Sequence, residues 1–488
     1  MSESGTILDY LARTDEDDVY TERRAEMAGW SFERLYSRLI ELGVPKAQLG
    51  GLPKERTRVV DTVIELELAR RPVSKEGRPA DIPLGVCYQA PWEQPGDGFN
   101  EHARRSARAL VLAGCPVHLR SMRPFIGQLD PDVERASADM TRASISRYSA
   151  WIHQVVPSPG LLERLTTLSA SAARVCGEKE LALLNACRVL YTVWERTPAP
   201  PDDVKALSRV GQAWVACHDS ARMLIDSGVP EDKVRVVPIP YFPDDPHLAL
   251  QGRKRRPGPP RFLHIGKWEP RKAQDKLLGA FLRAFKPGEA ELYFKTSQFA
   301  PKLQGYPQSA PHALQSWITG AHKKNGWRWP TTRSHDTFAK ELGAQGIKIY
   351  QAMMPASALV SMHADADVYL SLSRGEGFDM PAFDSKLAGN LLVYTPSGGP
   401  QDFADDSDIR VEPHRRVPTH PLYGWPNSTY LDYEVDAAAE AMRAAAARVK
   451  ERAEKGSPAL EEFRIERVGQ RMKGYLEEVL APLGGKVH

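Results

Sequence analysis

The stretch Leu370–Tyr394, LSLSRGEGFDMPAFDSKLAGNLLVY, narrows the possible folds more than any other part of the chain. The apolar run Val368–Leu372 gives way to Gly375-Glu376-Gly377, and a helical pattern opens around Asp379–Pro381, where proline is tolerated in a first turn. Gly389 and Asn390 then mark the helix end, and Leu391–Tyr394 is short, apolar and β-prone. Strand, tight turn, short helix and buried strand in succession predict a piece of a parallel α/β sheet. In such sheets ligands collect at the carboxyl ends of the strands, where turn glycines admit close approach and helix N-termini present unpaired N–H groups. Glu376 falls at such an end, and Asp384 follows about one turn inside the helix.

A chain of 488 residues is too long for one core, and predicts two domains of ordinary size plus extensions. A formal charge of +3 with 26% charged residues describes a globular surface that names no polyanionic partner. Cys87, Cys115, Cys176, Cys187 and Cys217 show neither CxxC nor metal spacing, which predicts buried thiols in a reducing compartment. The acidic start MSESGTILDYLARTDEDD is unlike a signal peptide, and no apolar run is long enough for a membrane span, so a cytoplasmic location is predicted.

Taken in order, residues 1–80 predict a helical N-terminal extension, with patterns near Thr21–Leu42 and Lys54–Ala69. Residues 81–250 predict a first Rossmann-like domain. It opens with a strand at Ile82–Tyr88, a loop at Gln89–Asn100 carrying Gly96 and Gly98, a helix at Glu101–Ala113 and a strand at Pro116–Arg120. Trp151–Val156 predicts a further strand, in which His153 is either a hydrogen-bonded core residue or a functional one. Arg188–Thr197 runs from a strand into a charged loop, where Glu195 faces an acceptor or forms a salt bridge. In Ala213–Asp244, Ser220 opens a helix that Gly228 ends. Gln251–Pro260, QGRKRRPGPP, predicts a solvated basic linker.

Residues 251–465 predict a second domain. Phe262–Ile265 is a strand, GKWEPRK a loop and Gln274–Phe285 a helix; the strand beginning at Glu291 leads into an irregular basic and aromatic stretch reaching about Arg333 and including KKNGWRWPTTR. Asp365 and Asp367 form a D-x-D, but a buried strand follows them immediately, which argues against an open metal site. Helices at Val435–Glu454 and Glu461–Leu480 close the chain.

Glu376 and Asp384, framed as E-G-F-x-x-P, resemble the E-x7-E signature of glycosyltransferase family 4, retaining GT-B enzymes that use nucleotide sugars. Gly228–Pro238, Pro396–Phe403 and the set Gly266, Lys267 and Lys272 resemble further motifs of that family, in the same order, so the resemblance covers about residues 82–480. Lys267 stands where the family has arginine, Ala273 where it has glycine, and Asp384 where it has glutamate. The resemblance implies an α/β GT-B fold of two Rossmann-like domains facing a central cleft, with the 466–488 helix packing back on the first domain. It implies Lys267 and Lys272 on a diphosphate, Glu376 on the donor sugar and Asp384 on the ribose. Gly266, Gly377, Phe378, Gly96 and Gly98 would lie along the donor, with His153 and Glu195 also near the cleft. No metal or other cofactor is implied, and transfer would go with retention to an acceptor hydroxyl of a glycan, glycolipid or other glycoconjugate. Two alternatives remain at this level. One is a nucleic-acid base as acceptor, gripped by KKNGWRWP and RKRR; the other is a non-catalytic nucleotide-sugar-binding protein, suggested by Ala273 and Asp384.

Overall fold

Two six-stranded sheets, each wholly parallel, organise the chain. The computed structural model describes chiefly residues 26–41, 86–90, 98–121, 150–167, 185–296, 306–351, 354–451 and 460–481, with single gaps inside these ranges and a few short pieces elsewhere. The first sheet holds β1 (Val86–Ala90), β2 (Val117–Ser121), β3 (Ala150–Val155), β4 (Arg188–Thr192), β5 (Gln212–Val215) and β6 (Val234–Val236), in the order β2-β1-β3-β4-β5-β6. The second holds β7 (Arg261–Gly266), β8 (Glu291–Thr296), β9 (Ile347–Tyr350), β10 (Val368–Ser371), β11 (Leu391–Tyr394) and β12 (Ile409–Arg410), in the order β9-β8-β7-β10-β11-β12. Every residue of β5 and β10 is buried, as a parallel sheet covered on both faces requires. This is a two-domain Rossmann-like arrangement, the one that the family resemblance implies.

Strand order places the crevice. In the second sheet the chain builds outward from β7 to β9, then returns to lay β10 beside β7 and builds the other way. The loops leaving β7 and β10 therefore diverge, and open a gap at the carboxyl edge between them. Residues 267–273 and 372–379 occupy that gap.

The helices follow local chemistry, with instructive shifts. α1 (Phe32–Glu41) belongs to the N-terminal extension, while most of the predicted Lys54–Ala69 helix lies outside the described residues. α2 (Gly98–Leu112) starts earlier than the Glu101 predicted. α3 (His218–Asp226) is capped by Cys217, whose sulfur accepts from the Ser220 N–H; Ser220 lies inside the helix, and its hydroxyl donates to the Trp194 carbonyl at 2.6 Å. α4 (Gln274–Ala284) covers the second sheet. α5 (Ala310–Thr319) replaces part of the predicted irregular stretch: Ala310, Ala313, Leu314 and Ile318 are buried at helical spacing. α6 (Ala356–Asp365) and α7 (Met380–Leu387) flank β10. An antiparallel hairpin, β13 (Pro413–Pro418) with β14 (Thr429–Tyr433), was not anticipated, and precedes α8 (Val435–Glu451) and α9 (Ile465–Leu480). Among the described residues no helix is long and apolar enough to cross a membrane.

The basic linker is largely exposed, as at Lys254 and Arg256, but its arginines are engaged. Arg253 donates to the carbonyls of His363, Ala364 and Ala366 at 2.8–2.9 Å, at the carboxyl end of α6, where a cation meets unpaired carbonyls. Arg255 and Arg256 pair with Asp367 and Asp365 at 3.0 and 2.6 Å. The two acids of the D-x-D and the arginines of the linker thus compensate one another.

α9 crosses to the first domain, where Ile465, Val468, Met472 and Leu476 share a core with Val86, Tyr88, Ala103 and Leu110. The crossing with α2 is close. A Cβ on Gly469 would sit 2.2 Å from the Ala109 carbonyl oxygen, whereas one on Gly474 would meet nothing within 4 Å. Gly469→Ala should therefore destabilise the first domain by about 1–3 kcal/mol, the usual penalty of overpacking, and Gly474→Ala should not. Paired denaturant melts of the two variants decide it; equal midpoints would contradict the crossing.

Candidate active site between the domains

The site is built on the loop after β7. Beyond Gly266 the chain forms a tight turn at Pro270–Lys272 and enters α4 through Ala273, at φ 48°. That left-handed conformation is the one a glycine would adopt without cost, and alanine holds it at about 1–2 kcal/mol. The turn points Arg271 and Lys272 at the loop after β10. Lys272 Nζ lies 2.5 Å from Glu376 Oε1, and Arg271 Nη1 lies 3.3 Å from Glu376 Oε2 and 2.7 Å from the Gly375 carbonyl oxygen. Glu376 is 4% exposed. Burial pushes its carboxyl up, but Lys272 and then Arg271 outweigh burial and hold it below the usual carboxylate range. Burial disfavours the charge on Lys272, yet Glu376 keeps its ammonium above the ordinary value.

The first domain supplies the opposite wall. Glu195, just beyond β4, pairs with Arg271 at 2.9 Å, and Glu269 pairs with the same guanidinium at 2.6 Å. Burial raises the Glu195 carboxyl, against the pull of Arg271. The walls touch closely. A Cβ on Gly375 would lie 2.4 Å from the Glu195 carbonyl oxygen, and one on Gly377 would lie 2.8 Å from Val193 Cβ. Beside them Cys217 Sγ donates to the Gly377 carbonyl at 3.0 Å, and Asp219 accepts from the Gly398 N–H at 2.9 Å.

Asp384 sits in a second cross-domain cluster. Arg105 Nη2, on α2, lies 3.3 Å from its Oδ1, and Arg105 Nη1 lies 4.0 Å from Asp245 Oδ2. His247 Nδ1 lies 2.8 Å from Asp245 Oδ1. Asp245, His247 and Asp384 form a group of described residues whose side chains could hold a cation, with ligand atoms within 4.8 Å of one another. The Arg105 guanidinium already supplies the countercharge there. Burial raises the Asp384 carboxyl, with Arg105 opposing.

The remaining predicted residues are scattered. Lys267 is exposed, and Gly266 ends β7. The Phe378 ring is buried against Phe383, Phe403 and Phe463, so its side chain serves packing. Gly98 begins α2, with room for a Cβ 3.9 Å from Met380 Sδ of the other domain; Gly96 lies outside the described residues. His153 is buried in β3 with its ring stacked on Trp151. Sequence spacing missed Arg271, because Lys272 already filled the lysine position of the motif. The signal available was Pro270, which starts a turn tight enough to aim two successive side chains at one partner.

Fold and site together define a two-domain Rossmann-like protein with a charged interdomain cleft. No known family profile and no curated protein sequence matches the chain. Among solved structures it is similar to a glycosyltransferase from Rickettsia africae ESF-5 (10% identity, TM-score 0.48, covering 82% of this chain and 99% of that one). It is also similar to an α,α-trehalose 6-phosphate synthase from Burkholderia multivorans (12%, 0.49, 82% and 100%) and to Anabaena Alr3699/HepE in complex with UDP and glucose (12%, 0.42, 81% and 99%).

Removing Arg271 leaves Glu195 and Glu269 without their shared cation and Glu376 with Lys272 alone. Arg271→Ala should cost about 3–5 kcal/mol near pH 7, the scale of a broken buried pair. Without the guanidinium the Glu195 carboxyl, already raised by burial, rises further, the folded state then binds more protons than the unfolded, and the deficit shrinks as pH falls toward 5. Arg271→Lys, keeping charge without the fork, should fall between. Urea melts at several pH values test this; a deficit independent of pH would contradict it.

Proposed function

We propose that the protein is a glycosyltransferase that moves a sugar from a nucleoside-diphosphate sugar to an acceptor hydroxyl, with retention and without a metal in the transfer step. The observation that supports this most is the convergence of Lys272 and Glu376, distant in sequence, on one buried point at the carboxyl ends of β7 and β10. Breaking a sugar–diphosphate bond leaves charge on the pyrophosphate, and the group that stabilises that charge as it forms accelerates the reaction. Lys272 and Arg271 are the cations in reach, and both are held charged by Glu376 and its neighbours. On binding, the diphosphate shares these cations with the carboxylates that now hold them. Glu376, ionised and acceptor-only, takes the hydroxyls of the donor sugar. Asp384 takes the ribose, its rotamer fixed by Arg105 at Oδ1. Retention follows from the family resemblance: same-face attack through an oxocarbenium-like state needs no separate nucleophile.

Two of the features behind the alternatives have structural partners or a retained shape. Arg255 and Arg256 pair with Asp367 and Asp365, which lowers the net positive charge that RKRR would present to a nucleic acid. Ala273 adopts the left-handed conformation of the glycine it replaces, so that departure leaves the loop shape intact.

A thermal-shift screen of nucleotide sugars should find a donor that stabilises the protein, by about 2.7 kcal/mol at 100 times its dissociation constant. With that donor, Lys272→Ala and Glu376→Ala should each lower turnover, measured as transfer or donor hydrolysis, by at least about a hundredfold. Full activity in either variant would remove that residue from the assignment.

A further inference from the structure

Asp379 is the cleft acid that the transfer scheme leaves without a task. It precedes α7 at φ 65°, where an aspartate carries a backbone cost that glycine would avoid. The residue is 7% exposed. The Ser371 hydroxyl donates to Oδ2, while the buried Oδ1 has no hydrogen-bond partner among the described residues. A buried carboxylate oxygen left empty in this way calls for a ligand or a proton.

Its surroundings choose between them. The charged groups acting on Asp379 are Glu376 and Lys272; Tyr369 is the other titratable group that feels it, and the Ala382 N–H supports it from α7. Burial first, then Glu376, push its carboxyl up to about 6. The cleft is also short of positive charge. Arg271 and Lys272 face Glu195, Glu269 and Glu376, two cations against three carboxylates, before Asp379 is counted. A nucleoside-diphosphate sugar adds two further negative charges. Beside it an ionised Asp379 is repelled, whereas a protonated one donates from Oδ1 to a phosphate oxygen and fills the empty position. The helix N-terminus next to it favours the same anion.

We propose that Asp379 takes up one proton from solvent when the donor diphosphate binds, and holds a phosphate oxygen through that proton. The inference rests on the nucleotide-sugar reading above. It makes donor affinity fall as pH rises from about 6 to about 8, with a limiting slope of roughly tenfold per pH unit for one linked proton. Burial keeps His102, His264 and His363 neutral in that range; His247, paired with Asp245 beside Asp384, is a further titratable group, so the Asp379 variants and not the slope alone carry the test.

Isothermal titration calorimetry on the full chain tests it. The probe is the tightest binder among UDP-, ADP-, GDP- and CDP-glucose, whose diphosphate diesters do not themselves ionise near neutrality. Titrations at about pH 6, 7 and 8, in two buffers of different protonation enthalpy, should show about one proton taken up at pH 7–8 and at least a tenfold loss of affinity from pH 6 to 8. Asp379→Asn should bind with no such slope, and at pH 8 at least about tenfold more tightly than the unaltered protein. Asp379→Gly, suited to the left-handed backbone, should lose the slope as well and melt higher, which covers the case of a misfolded Asn variant. An unchanged slope in both variants overturns the inference. So does affinity in the unaltered protein that is flat or rises with pH, the mark of an ionised Asp379 accepting a sugar hydroxyl. Absence of binding by all four donors, to the unaltered protein as well, instead overturns the nucleotide-sugar reading itself.

Discussion

A guanidinium and an ammonium on successive residues, both turned toward one buried carboxylate, hold the centre of this molecule together. Desolvating five charges is expensive, and the arrangement survives because each acid has a cation in hydrogen-bond or ion-pair reach. Arg271 is the hub. Its planar fork reaches Glu269 on its own turn, Glu376 on the next crevice loop and Glu195 on the facing domain, which a lysine's single point of charge could not do. The same contacts that charge the cleft also set the distance between its walls.

Among the described residues, two arginine–carboxylate clusters join the domains. Arg271 with Glu195 stands at the crevice, and Arg105 with Asp384 stands where α2 meets α7. In each an arginine of one domain meets a carboxylate of the other, and in each the carboxylate is raised by burial. Ligand charge arriving at either cluster competes for an arginine that also spans the interface. Binding and domain contact are therefore coupled through the same side chains.

The sheet-turn-helix-sheet unit around Glu376 was legible because every part of it is local. Apolar runs, a glycine turn, a first-turn proline and a closing glycine each act within a few residues. The Rossmann-like halves followed from repeating that reading along the chain. What escaped was decided at long range. The RKRR segment is largely exposed as read, but its pairing with Asp365 and Asp367 could not be seen from the sequence. Phe378 reads as part of a ligand-facing turn until three other phenylalanines close over it. The hairpin Pro413–Tyr433 left little trace, since β13 is mostly exposed, rich in arginine and bounded by prolines, with no apolar alternation. α5 failed for a different reason: its helical spacing was present, but cations and tryptophans after it drew the whole stretch toward a loop.

The crossing of α9 has an outcome for how the polypeptide matures. Its apolar face completes the interior of the first domain, yet it follows the whole second sheet in the chain. The N-terminal half must wait, with Val86, Tyr88 and Leu110 incompletely covered, while the entire second sheet is synthesised. A chain cut just before α9 would keep the crevice residues and leave the opposite half without its cover, open to aggregation.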